Sequence, residues 1–146
     1  MAEGAGETKG VDAAAGDAVT EATLHARLDV VKAVAAKYRC TVAMSGAIDL
    51  ISDGKRSYAC RNGVPWMSRV TGTGCSLTGL TGAFVAVAGA EEVAEATAYA
   101  TAMMGMAGEA AYAKAREQGL GSFHAALLDA LSRMREMDVQ PRLEEL

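Results

Sequence analysis

The segment with the clearest chemical content is Thr71-Gly72-Thr73-Gly74-Cys75. Its two glycines let the backbone take a turn that side chains would block. Helical spacing follows at once, from Ser76 to Val87, so the first N–H groups of that helix point back into the turn. A cradle of unpaired amides suits a phosphate or a developing alkoxide, which makes Gly72, Thr73 and Gly74 a candidate anion hole. Cys75 stands at or near the helix start, where a thiol is expected to ionise more readily. The plainer alternative is a glycine-rich turn that only lets the helix pack closely on a strand. The turn is not a Walker A loop, because no lysine follows the glycines. It is not GxGxxG either, since Thr78 stands three positions after Cys75.

A Cys–His hydrolase would pair Cys75 with His25 or His124. Each histidine sits among alternating polar and apolar positions of a helical stretch, which reads as solvated helix surface. A second candidate is Met44-Ser45-Gly46, at the end of an apolar run. Ligands of α/β sheets lie beyond the carboxyl ends of strands, where the Ser45 hydroxyl can bond a phosphate. Taken alone, the same residues read as a plain turn. Asp53-Gly54 reads as a hairpin turn.

The elements around these residues alternate. Residues 1–16 are small and polar and read as a loop or frayed end. Asp17 to Tyr38 is helical, with Asp17 as cap and Val19, Leu24, Leu28, Val31 and Val34 on one face. Cys40 to Met44 reads as a buried parallel strand. Arg56 to Cys60 is a second short strand and Val64 to Val70 a third, flanked by the turns Ser52 to Lys55 and Arg61-Asn62-Gly63. A small antiparallel excursion thus interrupts an α/β pattern. Val70 to Ala90 carries no charge but holds five glycines, and reads as a turn followed by a buried soluble helix. Glu91 to Gln118 reads as one long Ala-rich helix in which Met103, Met104 and Met106 fill the core. Gly119-Leu120-Gly121 breaks it. Ser122 then caps a last helix with Phe123, Leu127, Leu128 and Leu131 inward, closed by Pro141.

Composition bounds the function. The 146 residues include 16 glycines and only 5% aromatics, and carry a net charge of −4. One domain is expected at this length. An acidic balance argues against a nucleic-acid binder and against a polybasic membrane-surface protein. Three cysteines without CxxC spacing and two histidines make no zinc pattern, and read as reduced thiols in a cytosol. The first residues have neither the basic nor the apolar region of a signal peptide.

Taken in order, several strings resemble a known family. They are Lys9-Gly10-Val11-Asp12, Val42-Ala43-Met44-Ser45-Gly46, Ser52-Asp53-Gly54, Arg61-Asn62-Gly63 and Val70-Thr71-Gly72-Thr73-Gly74-Cys75. Gly121-Ser122-Phe123 and Ala126 to Leu131 complete the series. This resembles the C-terminal half of hydroxyethylthiazole kinases, thiamine-salvage enzymes of ribokinase-like fold, from about residue 7 onward. The resemblance implies a partial three-layer α/β/α architecture with a short antiparallel excursion and C-terminal helices. Residues 1–146 would then be the C-terminal part of a single kinase domain. It implies phosphorylation of the hydroxyl of 4-methyl-5-(2-hydroxyethyl)thiazole with ATP and Mg2+, in a cytoplasmic enzyme that is trimeric in the family, with part of each site at subunit interfaces.

Residue by residue, the glycine-rich turn corresponds to the family's anion hole, and Gly72 to its thiazole-contacting glycine. Cys75 falls where sugar kinases of this fold carry an aspartate base, and is the catalytic candidate. Ser45 stands at an ATP-contacting position where the family usually has threonine, and it keeps the hydroxyl. Ala47 replaces a frequent acidic residue. No metal ligand is assigned. The family's N-terminal half carries further strands, much of the thiazole pocket and an RGNxxE-like segment that contacts ATP and the magnesium site. None of these is found here, and Glu3 has no Arg-Gly-Asn before it. Two other readings stand beside the kinase: a non-catalytic fragment or interaction subunit that needs an N-terminal half, and another small-alcohol kinase of the superfamily.

Overall fold

The computed structural model describes residues 19–135 and 143–146. Asp17, Pro141 and the Lys9 to Asp12 string lie outside the described residues. Helix α1 runs Leu24–Tyr38, followed by strand β1 (Val42–Met44), β2 (Asp49–Ser52) and β3 (Ser57–Cys60). A 3-10 turn at Pro65–Arg69 leads to α2 (Thr73–Val87). Then come α3 (Val93–Ala115), α4 (Leu120–Leu131) and a short strand β4 (Leu143–Glu145).

The four strands form one sheet in the order β1-β2-β3-β4, and every neighbouring pair is antiparallel. The reading of Cys40 to Met44 as a buried parallel strand is therefore corrected. β1 is an edge strand with Ala43 exposed, and it pairs antiparallel with β2 through Met44 opposite Leu50. Only residues 45–48 separate the two strands. That length permits a hairpin, whereas a parallel pairing needs a crossover of a dozen residues or more.

Successive residues of β2 and β3 face opposite sides, and both sides are covered. Leu50 and Ala59 pack with Leu24, Leu28 and Val31 of α1. Ile51, Tyr58 and Cys60 pack with Ala94, Ala98 and Ala102 of α3. Helix, sheet and helix make the three layers of a partial α/β/α fold. Between β2 and β3, Asp53 Oδ1 accepts the N–H groups of Lys55 and Arg56 at 2.8 and 2.7 Å, and Gly54 turns at φ +91°. This is the expected hairpin turn.

Four further expectations are changed. Val64 to Val70 is not a strand: Pro65 opens a 3-10 turn, and the Ser68 hydroxyl donates to its carbonyl at 2.9 Å. Trp66 of that turn meets Tyr112 and Phe123 edge-on, with ring centroids 5.2 and 5.6 Å away. The long helix begins at Val93, because a separate 3-10 turn at Ala90–Glu92 precedes it. α4 starts at Leu120, with Gly119 at φ +108° as its N-cap in place of Ser122. Along it Phe123, Ala126 and Leu127 are buried, while Leu128 is half exposed. Finally, α2 is not a buried helix, since none of its residues is buried. β4 was not foreseen; it adds to the outer edge of β3, with Leu143 opposite Cys60.

Small residues set how near α3 comes to its neighbours. A Cβ on Gly105 would stand 2.6 Å from Asn62 Nδ2 and 3.0 Å from the Asn62 carbonyl oxygen. That amide donates to the Ala102 carbonyl at 2.7 Å, so Asn62 is fixed in place. Gly105→Ala improves helix propensity by about 1 kcal/mol, but the overlap outweighs it. We expect a net destabilisation of about 1–3 kcal/mol in urea unfolding. A more stable variant would show that Asn62 moves aside freely.

Candidate active site

The chain enters α2 through Gly72, whose φ of +96° is a conformation that side chains disfavour. The Ser76 N–H donates to the Gly72 carbonyl at 2.8 Å, closing the first helical turn. The amides of Thr73, Gly74 and Cys75 precede that bond and have no acceptor inside the helix. No acidic residue occupies the first turn to compete for them. A Cβ built on Gly72 or Gly74 meets nothing within 4 Å. Among the described residues, nothing packs closely against these two glycines. They leave the helix N-terminus open, as an anion cradle requires.

Beside this end of α2 lies a cleft of about 460 Å³. Ser45, Asp49, Gly74, Thr78, Thr97 and Thr101 are among its lining residues. The structure thus brings Ser45 and Gly74 to one cleft. Thr73 directs its hydroxyl to the Val70 carbonyl at 3.0 Å. Gly72, Thr73 and Cys75 do not line the cleft, although they adjoin Gly74 in the chain. Cys75 is exposed and, like Cys40 and Cys60, is a free thiol. His25 and His124 are exposed on α1 and α4. Three threonine hydroxyls of the cleft wall spend their hydrogens on their own helices. Thr78 donates to Gly74, Thr97 to Val93 and Thr101 to Thr97, at 2.7–3.0 Å. These three hydroxyls therefore have only oxygen lone pairs left to offer a ligand, while the Ser45 hydroxyl and the first-turn amides of α2 remain as donors.

Sequence reasoning missed Asp49, the one ionisable side chain among the described residues that line the cleft. It opens β2 opposite Cys60, and its Oδ1 accepts the Gly46 N–H at 2.9 Å. Burial pushes its pKa up to about 6, against a smaller lowering by the Gly46 bond. Burial likewise pushes the Cys60 thiol up to about 12, with the Asp49 charge adding to it. A signal was present in the sequence: one carboxylate between Ile48 and Leu50 is costly there unless something uses it.

The hydroxyethylthiazole kinase family profile matches residues 1–137. The chain belongs to the hydroxyethylthiazole kinase family. It is 43% identical over 129 residues to the hydroxyethylthiazole kinase of Ruminiclostridium cellulolyticum, covering 88% of this chain and 45% of that protein. The Clostridium beijerinckii hydroxyethylthiazole kinase is 46% identical over 127 residues, covering 87% and 45%. Among solved structures, the hydroxyethylthiazole kinase protein of Pyrococcus horikoshii OT3 superposes with a TM-score of 0.76 at 40% identity. That match covers 84% of this chain and 47% of the other. The chain thus spans about half the length of the relatives it matches. This kinase family belongs to the ribokinase-like superfamily, in agreement with the partial α/β/α layering.

The raised pKa of Asp49 has a defined sign. Its folded value lies above the ordinary carboxylate value of 3.8, so the folded state holds the proton more tightly than the unfolded one. The neutral form stabilises fully below about pH 4, and that contribution is lost as pH rises through about 6. Asn cannot ionise. Asp49→Asn should therefore be more stable than the parent at pH 7.5 by about 1–2 kcal/mol, less than the full shift implies because the side chain keeps some solvent contact. The difference should shrink toward zero by pH 4. Urea unfolding across this range measures it, and an offset independent of pH would contradict the assignment.

Proposed function

We propose that this chain forms the C-terminal part of a hydroxyethylthiazole kinase, which transfers the γ-phosphoryl group of ATP to the hydroxyl of 4-methyl-5-(2-hydroxyethyl)thiazole in thiamine salvage. One observation carries the reading above all. The open first turn of α2, entered through left-handed Gly72, stands beside the cleft that Ser45 and Gly74 line. Phosphoryl transfer asks for positioning and neutralisation of charge more than for covalent chemistry, and preorganised amides supply both. In this reading the N–H groups of Thr73, Gly74 and Cys75 hold charge on the transferring phosphoryl group. Ser45 bonds the nucleotide, and Gly72 contacts the thiazole. As the alcohol oxygen attacks phosphorus and the bond to ADP breaks, the alcohol proton passes to the Cys75 thiolate.

The residues fit the phosphates better than the metal. Among the described residues no group of three His, Cys, Asp or Glu side chains is arranged to hold an ion. We therefore assign Mg2+ ligation to another part of the functional enzyme. Two surfaces support a site completed from elsewhere. The 15 residues of α2 carry no charge and none is buried, with Val87 87% exposed. β1 leaves its outer edge without a strand among the described residues. A glycine-containing helix that buries so little is weakly stable by itself, and an open sheet edge invites pairing. The occupant we propose is the part of the relatives that this chain does not span, with trimer contacts of the family kind around it. Among the described residues no helix is long and apolar enough to cross a membrane, and three free thiols suit a reducing cytoplasm.

Co-expression with the N-terminal half of a relative tests this. The complex should form thiazole phosphate from ATP, Mg2+ and the thiazole alcohol, and the chain alone should form none. Within the complex, Cys75→Ala should lower kcat about tenfold or more, while shifting the melting temperature by less than about 2 °C because the residue is exposed. An unchanged kcat would remove Cys75 from the proton transfer. A complex that forms without turning over would favour a non-catalytic interaction subunit.

A further inference from the structure

The loop 45–48 joins β1 to β2 and presents Ser45, whose side chain is exposed at the cleft. Among the described residues the Ser45 hydroxyl has no hydrogen-bond partner, so it is free to meet a ligand. Ile48 anchors one end of the loop in the core beside α1, and two contacts hold its exposed part at Gly46. Gly46 rests on the buried Val19, where an added Cβ would lie 3.5 Å from the valine side chain. From the other side, the Asp49 carboxylate accepts the Gly46 N–H at 2.9 Å. It is the sole side chain bonded to this loop's backbone among the described residues.

We propose that Asp49 is a positioning residue for the nucleotide. By gripping the Gly46 amide it fixes the Ser45-Gly46 turn, and so sets where the Ser45 hydroxyl meets ATP at the cleft. The inference rests on the kinase reading and deepens it by naming what aims Ser45. The geometry separates two roles a carboxylate could have here. Asp49 reaches its own loop three residues back. The hydroxyls of Thr97 and Thr101 on α3 and of Thr78 on α2 donate to their own helix backbones, so the carboxylate is not bound into the cleft wall by them. Its cross-strand neighbour, Cys60, directs its thiol to the Ala98 carbonyl at 3.7 Å. Among the described residues no second ionisable side chain lines the cleft. A carboxylate in such a place destabilises the fold when ionised, and it is retained where its charge-assisted bond to an amide serves a purpose.

Two measurements test the proposal. In the chain itself, the Gly46 amide proton resonance should titrate with a midpoint near pH 6. The Asp49→Asn variant should abolish that titration. A flat Gly46 resonance in the parent overturns the grip. In the complex with the N-terminal half of a relative, Asp49→Ala should raise KM for ATP about tenfold, the loss expected for one charge-assisted hydrogen bond. kcat should change much less. Asp49→Asn keeps an acceptor oxygen and should recover most of the loss, a rescue that a general loss of stability would not produce. An effect confined to kcat, or equal KM values in the Asn and Ala variants, overturns the positioning role. A parent complex that binds no ATP and turns nothing over refutes the kinase reading itself. The Gly46 titration is independent of that result.

Discussion

How closely α3 can approach its neighbours is the constraint on which the rest of this chain depends. Fourteen of its twenty-three residues are buried, and all but four of those are alanine or glycine. Such a helix offers little apolar area per residue, yet it lets other elements come within van der Waals contact of its backbone along its length. β2 and β3 press on one side through Ile51, Tyr58 and Cys60. Phe123, Ala126 and Leu127 of α4 press on another, together with Trp66 from the 3-10 turn. The aromatic content is low, and the few aromatic side chains are spent where α3, α4 and that turn converge. Packing at this density tolerates little added volume.

The same constraint explains why the cleft has its shape. Thr97 and Thr101 of α3 line the cleft together with residues of β1 and α2. Larger side chains there would fill it. Because those hydroxyls are satisfied by the helix, they can be buried without a partner in the cleft, and the space stays open to a ligand. In the proposed reading the chemistry falls to the rims. One is the first turn of α2 with its unpaired amides, and the other is the Ser45 loop gripped by Asp49.

Much of this was legible in the residues. Apolar spacing located α1, α2, α3 and α4. Asp53-Gly54 marked the hairpin and Gly72 marked the helix entry, because Gly54 and Gly72 both take a positive φ that side chains disfavour. The buried methionines of α3 behaved as fillers, as their adaptable shape suggests. What misled was apolar character without context. Cys40 to Met44 and Ser76 to Val87 are both uncharged runs, and each looked buried. Hydropathy records what a segment would prefer to be covered by, whereas coverage depends on the elements actually packed against it. In this chain, β1 is an edge and α2 buries none of its residues.

The sequence by itself determined the helix entry at Gly72, from residue types at short spacing, and the family, from an ordered series of strings along the chain; the resemblance to that family is what made Cys75 a catalytic candidate. Tertiary structure decided that Ser45 and Gly74 share one cleft while Cys75 stands outside its lining. It also decided that Asp49, an unremarked carboxylate at a strand start, reaches back to the Gly46 amide. The physical reason is that the bond from Asp49 to Gly46 is local, whereas the burial of that carboxylate and the meeting of Ser45 with Gly74 depend on elements far apart in the chain.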